Sequence, residues 1–77
     1  MIIPISIGKV IVTPFEVVIK LEGSQMVTLQ ASRDTLNLIG RGANVVACNT
    51  GEAKWSIKLD NEQQLQVLSQ EIGVEID

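Results

Sequence analysis

The chain has 77 residues, 45% of them hydrophobic, with six Lys or Arg, nine Asp or Glu and a formal net charge of -3. It has no His and no Tyr, and Cys48 is its single cysteine. These totals allow one small domain and exclude an intramolecular disulfide, a serine–histidine or cysteine–histidine nucleophile and a histidine-based metal centre.

Ile3, Ile5 and Ile7 alternate with Pro4 and Ser6, which predicts a first strand. Proline there suits an edge strand or a strand start, because it cannot donate to a ladder. Gly8-Lys9 reads as a tight turn, and Val10-Ile11-Val12-Thr13 as a second strand ended by Pro14, or alternatively as a continuation of the first strand through a bend at Gly8. Phe15, Val17, Ile19 and Leu21 then alternate with Glu16, Val18, Lys20 and Glu22, the pattern of a half-buried strand with Phe15 facing inward. Gly23-Ser24-Gln25 supplies a hairpin loop, and Val27, Leu29 and Ala31 continue the pattern on its far side. Arg33-Asp34 turns the chain into a short strand over 35–39, with Leu36 and Leu38 inward, which Gly40-Arg41-Gly42 breaks.

Val45, Val46, Ala47 and Cys48 are apolar on both strand faces, which predicts either a central strand or an interface. Asn49-Thr50-Gly51-Glu52 is a turn, and Trp55, Ile57 and Leu59 face inward on the last strand of the meander. A helix follows over 60–73. Asp60 is the expected N-cap with Gln63 three residues on, and Glu62 suits the positive end of the helix dipole. Leu65, Leu68 and Ile72 form one narrow apolar stripe, with Val67 off it. Gly73 marks the stop. Residues 74–77 alternate again and read as a short strand or a tail. The chain is thus expected to be a single α+β, mainly β domain: an antiparallel meander of six to seven short strands over 1–59, sealed by one helix whose stripe packs on Trp55, Ile57 and Leu59.

Little in this pattern carries chemistry. The carboxylates are scattered singly, and Glu16 and Glu22 read as solvated strand positions. Cys48 follows an apolar run with no basic sequence neighbour to lower its pKa, so a small buried hydrophobe is the better reading than a reactive thiol. Gly40-Arg41-Gly42-Ala43-Asn44 lacks the third glycine of a dinucleotide fingerprint and the Lys-Ser/Thr of a P-loop, so it is a turn presenting Arg41. No catalytic residue, metal ligand or cofactor site is expected, and no enzymatic activity. Phe15 and Trp55 are the only aromatics and both are expected on apolar strand faces, which disfavours stacking on nucleic acid. Lys54 and Lys58 flank Trp55, a small basic patch at most. Residues 1–58 carry six basic against four acidic side chains, whereas residues 59–77 carry five acidic and no basic ones. A mildly basic body therefore meets an acidic helix and tail.

No segment approaches the ~18 consecutive apolar residues of a membrane span, and Met1-Ile2-Ile3-Pro4-Ile5 lacks the basic start of a signal peptide, so a cytoplasmic protein is expected. A mean hydropathy of +0.28 is high for so small a domain. The apolar surplus calls for a homodimer interface or, alternatively, an unusually dense aliphatic core.

The stretch Val12-Thr13-Pro14-Phe15-Glu16-Val17-Val18 through Leu21-Glu22-Gly23-Ser24-Gln25, with Lys54-Trp55-Ser56-Ile57-Lys58-Leu59-Asp60-Asn61-Glu62, resembles a family of small bacterial proteins of unknown function, about the length of this chain. That resemblance implies no activity, cofactor or site residue. The element order is also similar to the pleckstrin-homology-like roll, an analogy of fold alone. The expected function is a non-enzymatic protein-interaction module, homodimeric, with its interface at Val45, Val46, Ala47 and Cys48 or along an exposed strand edge. The alternative is a small-ligand or regulatory binding domain with contacts from Lys54, Trp55 and Lys58.

Overall fold

A computed structural model describes residues 1–23 and 27–77. Among these residues the chain forms seven strands, a short 3-10 turn and one helix: β1 (Ile2–Ile5), β2 (Gly8–Val12), β3 (Glu16–Leu21), β4 (Val27–Ser32), the 3-10 turn Arg33–Thr35, β5 (Leu36–Ile39), β6 (Val45–Asn49), β7 (Lys54–Lys58) and α1 (Glu62–Ile72). All named strand pairs are antiparallel. The meander is divided into two sheets, in the orders β1-β2-β3-β4 and β5-β6-β7. The break falls at the 3-10 turn, where Thr35 Oγ1 donates to the Ser32 carbonyl at 2.8 Å and the ladder between consecutive strands stops. Of the expected loop at Gly23-Ser24-Gln25, Ser24 and Gln25 lie outside the described residues.

The inner faces of both sheets and the helix stripe enclose a single core. Val10, Val12, Val17, Ile19, Leu38, Val46, Leu65 and Leu68 in it have no exposed surface. Burial of each such aliphatic side chain contributes roughly 2 kcal/mol. Leu65, Leu68 and Ile72 are the buried residues of α1, as their spacing predicts. The principal strand neighbour of α1 is β2, in the first sheet. The expected partners Trp55 and Ile57 are half-buried at the margin of the core, and Leu59, just past β7, is buried within it.

Polar groups explain the differences at the turns. The first hairpin turns at Ser6-Ile7 rather than Gly8-Lys9, so Ile7 is 44% exposed and Gly8 opens β2. Gly8 has φ +156°, and a Cβ there would lie 1.9 Å from the Lys20 carbonyl oxygen on the neighbouring strand. Phe15, expected to face inward, is instead 74% exposed. Thr13 Oγ1 accepts the Phe15 and Glu16 N–H groups at 3.2 and 3.1 Å, which folds 13–16 into a side-chain-closed turn and swings the ring outside the ladder.

At the helix start the N-cap is Asn61, one residue later than expected, with its Oδ1 accepting the Gln64 N–H at 2.9 Å. Gln64 Oε1 reaches back to accept the Asp60 N–H at 3.0 Å, so Gln64 takes the reciprocal role expected of Gln63. Asp60 is released for another task. Its carboxylate accepts the Ser6 N–H at 2.9 and 3.1 Å and the Ser6 hydroxyl at 2.7 Å, pinning the first hairpin turn to the helix start. These hydrogen bonds from Ser6 hold the Asp60 carboxyl below its ordinary pKa. At the other end Gly73 closes α1 in the left-handed conformation, φ 76°, and its N–H donates to the Ser69 carbonyl.

The tail is ordered against the second sheet. Ile76 forms a parallel bridge with Leu38, the Asp77 N–H donates to the Leu38 carbonyl, and the Gly40 N–H donates to the Asp77 carbonyl. That covers the outer edge of β5. The edge of β1 is blunted differently. Pro4 has no N–H, and its carbonyl accepts Gln64 Nε2 at 3.0 Å.

Candidate interaction surfaces

The expected interface at 45–48 is split by the alternation of β6. Val46 and Cys48 point into the core, at 0% and 4% exposure, and are withdrawn from any surface. Their two-faced apolar pattern arises because β6 is the central strand of its sheet. Val45 and Ala47 lie on the outer face, partly exposed, in ladder rows with Lys58 and Ser56. The Cys48 thiol lies 3.5 Å from Thr35 Oγ1.

A shallow groove of about 500 Å³ crosses this region, lined by Asn37, Ala47, Lys54, Trp55, Ser56 and Asp77 among others. Trp55 is opposite Cys48 in the ladder, with its side half-buried, and Lys54 is exposed beside it. Lys54 and Trp55 both line the groove, although the alternation of β7 sets them on opposite faces of the strand. Lys58, three rows from Trp55 and opposite Val45, does not line the groove. Among the described residues no three carboxylates or thiols converge as metal ligands would.

The first sheet presents a different surface. Outward-facing residues of an antiparallel sheet over a core are normally polar. Here Ile2 pairs with Ile11, and Ile11 with Val18, so three β-branched side chains stand in one row across β1, β2 and β3 on the outer face. Ile2 is 61% exposed, and Ile11 and Val18 are partly exposed. Gln30 ends the row on β4. On one side of it lies the row Pro4, Lys9, Lys20 and Thr28, and on the other Glu16 and Ser32. Gln30 Nε2 donates to Glu16 Oε2 at 2.7 Å, which fixes the carboxylate over this face. Beside β1 the surface continues into a groove of about 420 Å³ against the helix start, lined by Ile2, Pro4, Gln64 and Val67 among others. Val67, the apolar residue outside the helix stripe, belongs to this groove.

The row was legible in part. Val10-Ile11-Val12 is apolar on both faces just as 45–48 is, and Val18 interrupts the polar face of Glu16 and Lys20. Only the ladder register reveals that these residues and Ile2 stand side by side.

The fold and its surfaces define a small α+β protein of two antiparallel sheets and one helix, with an apolar row on the outer face of the first sheet. Over residues 1–76 the chain matches, and therefore belongs to, the family described as "Protein of unknown function (DUF3389)". No curated protein and no solved structure matches it. No helix among the described residues is long and apolar enough to cross a membrane.

Proposed function

We propose that the protein is a non-enzymatic interaction module that self-associates, using the outer face of the first sheet. The observation that carries this reading is the Ile2–Ile11–Val18 row, apolar surface on the side of a sheet that would otherwise be polar. The high hydrophobic content and the small size of the domain support it, since one small core leaves stability to be gained by covering such a row. Sedimentation equilibrium of the wild type and of Ile11→Lys tests it. The wild type is expected to show a concentration-dependent rise in mass that the variant lacks, with Trp55 fluorescence confirming that the variant is folded. A wild type that stays monomeric to about 1 mM overturns the reading.

A second reading rests on the groove beside Trp55, where Lys54 and Asp77 offer opposite charges at the rim of an aromatic surface. It makes the protein a binding domain for a small zwitterionic or anionic ligand. Because Trp55 is the only tryptophan, a flat fluorescence response across a metabolite panel counts directly against it.

A further inference from the structure

Resting on the self-association reading, we propose that two copies pack face to face about a two-fold axis running along the Ile2–Ile11–Val18 row, with Glu16 of each copy over Lys20 of the other. The argument is one of symmetry and charge. A face-to-face pair of identical sheets has two simple choices of axis lying in the interface, along the strands or across them. An axis along the strands exchanges β2 with β3 and keeps each row at its own level. It would place Lys9 of one copy over Lys20 of the other, twice, with like charges opposed. An axis across the strands keeps β3 over β3 and reverses its direction. Val18 then meets Val18, Ile11 meets Ile11, and Glu16, two residues before Val18, meets Lys20, two residues after it. On β4 the same operation sets Ser32 against Thr28, a neutral polar pair.

Lys9 and Lys20 supply a second observation. They are directly opposite on β2 and β3 and share the outer face, an arrangement that destabilises a sheet. Their ladder neighbours in that row are Pro4 and Thr28, so the row contains no carboxylate. The partner's Glu16 would provide one. Four strands at their usual spacing and three rows give a face of roughly 400 Å² per copy. That is about half a standard interface, so association in the micromolar range or weaker is expected.

The test is charge exchange, read by sedimentation equilibrium on the full chain. Glu16→Lys opposes Lys to Lys across this axis, and Lys20→Glu opposes Glu to Glu. Each single variant is expected to weaken self-association at least tenfold. Mixing the two in equal amounts is expected to restore association as a mixed pair, because each then meets its opposite charge twice. Glu16 and Lys20 are not core residues, so the variants are expected to fold, with Trp55 fluorescence as the check. If the wild type associates and Ile11→Lys abolishes it, but the single charge variants behave as wild type or the mixture fails to recover, this axis is wrong and the self-association reading stands. If the wild type never associates, both fall together.

Discussion

Gly8 offers the sharpest test of how the first sheet is held. A methyl group at this position would sit 1.9 Å from the Lys20 carbonyl oxygen, 2.9 Å from its carbonyl carbon and 3.0 Å from the Leu21 Cα. All three are backbone atoms of the adjacent strand, so no side chain can swing aside. An ordinary carbon–oxygen contact needs more than a further ångström, and opening β2 from β3 by that amount breaks the local ladder bonds. Losing one or two backbone hydrogen bonds at about 1 kcal/mol each, together with roughly 1 kcal/mol for a non-glycine residue at φ +156°, puts the cost of Gly8→Ala near 3 kcal/mol. A domain of this length has a total stability of about 4–12 kcal/mol, so the loss is a large fraction of it. Urea unfolding followed by Trp55 fluorescence reads it directly. With a slope of about 1 kcal/mol/M for so small a chain, the midpoint should fall by about 3 M. Gly42→Ala is the control. Its φ is +82°, but a Cβ there meets nothing within 4 Å, so only the backbone term of about 1 kcal/mol is lost. If Gly8→Ala costs no more than Gly42→Ala, the close approach of β2 and β3 does not constrain the sheet and the reasoning fails.

Two further predictions concern the latch and the core. Asp60 has a lowered pKa because Ser6 donates to its ionised form, so its contribution is present above the unfolded value near 3.8 and is lost as pH falls through the lower folded value. Asp60→Asn should therefore destabilise the protein at pH 7, with the gap to wild type narrowing at pH 3; a gap independent of pH would rule out the Ser6 latch as its source. Val46→Lys should unfold the domain, since Val46 is fully buried and an unpaired ammonium there has no partner. Val45→Lys, on the outer face one residue earlier, should retain cooperative unfolding within about 1 kcal/mol of wild type. Equal effects of the two would contradict the alternation assigned to β6.

Much of the fold is local information, and the sequence carries it openly. Alternation gave the strands their inward residues at Val17, Ile19, Leu36 and Leu38. The i, i+3, i+7 stripe did the same for Leu65, Leu68 and Ile72, and Gly73 marked the helix end. These succeed because a period of two or 3.6 is a property of consecutive residues. Family membership was legible for the same reason, in runs of neighbouring residues.

Tertiary structure decided what depends on partners far along the chain. Asp60 is a plausible N-cap until Ser6, fifty-four positions earlier, claims its carboxylate and the cap passes to Asn61. Phe15 belongs to an inward pattern until Thr13 closes the turn beneath it. The division of the meander into two sheets and the covering of the β5 edge by the tail required the whole chain in place. Burial of Val46 and Cys48, and the meeting of Ile2, Ile11 and Val18 in one row, are settled by strand register. A sequence names which residues alternate, but only cross-strand hydrogen bonds decide which of them stand side by side.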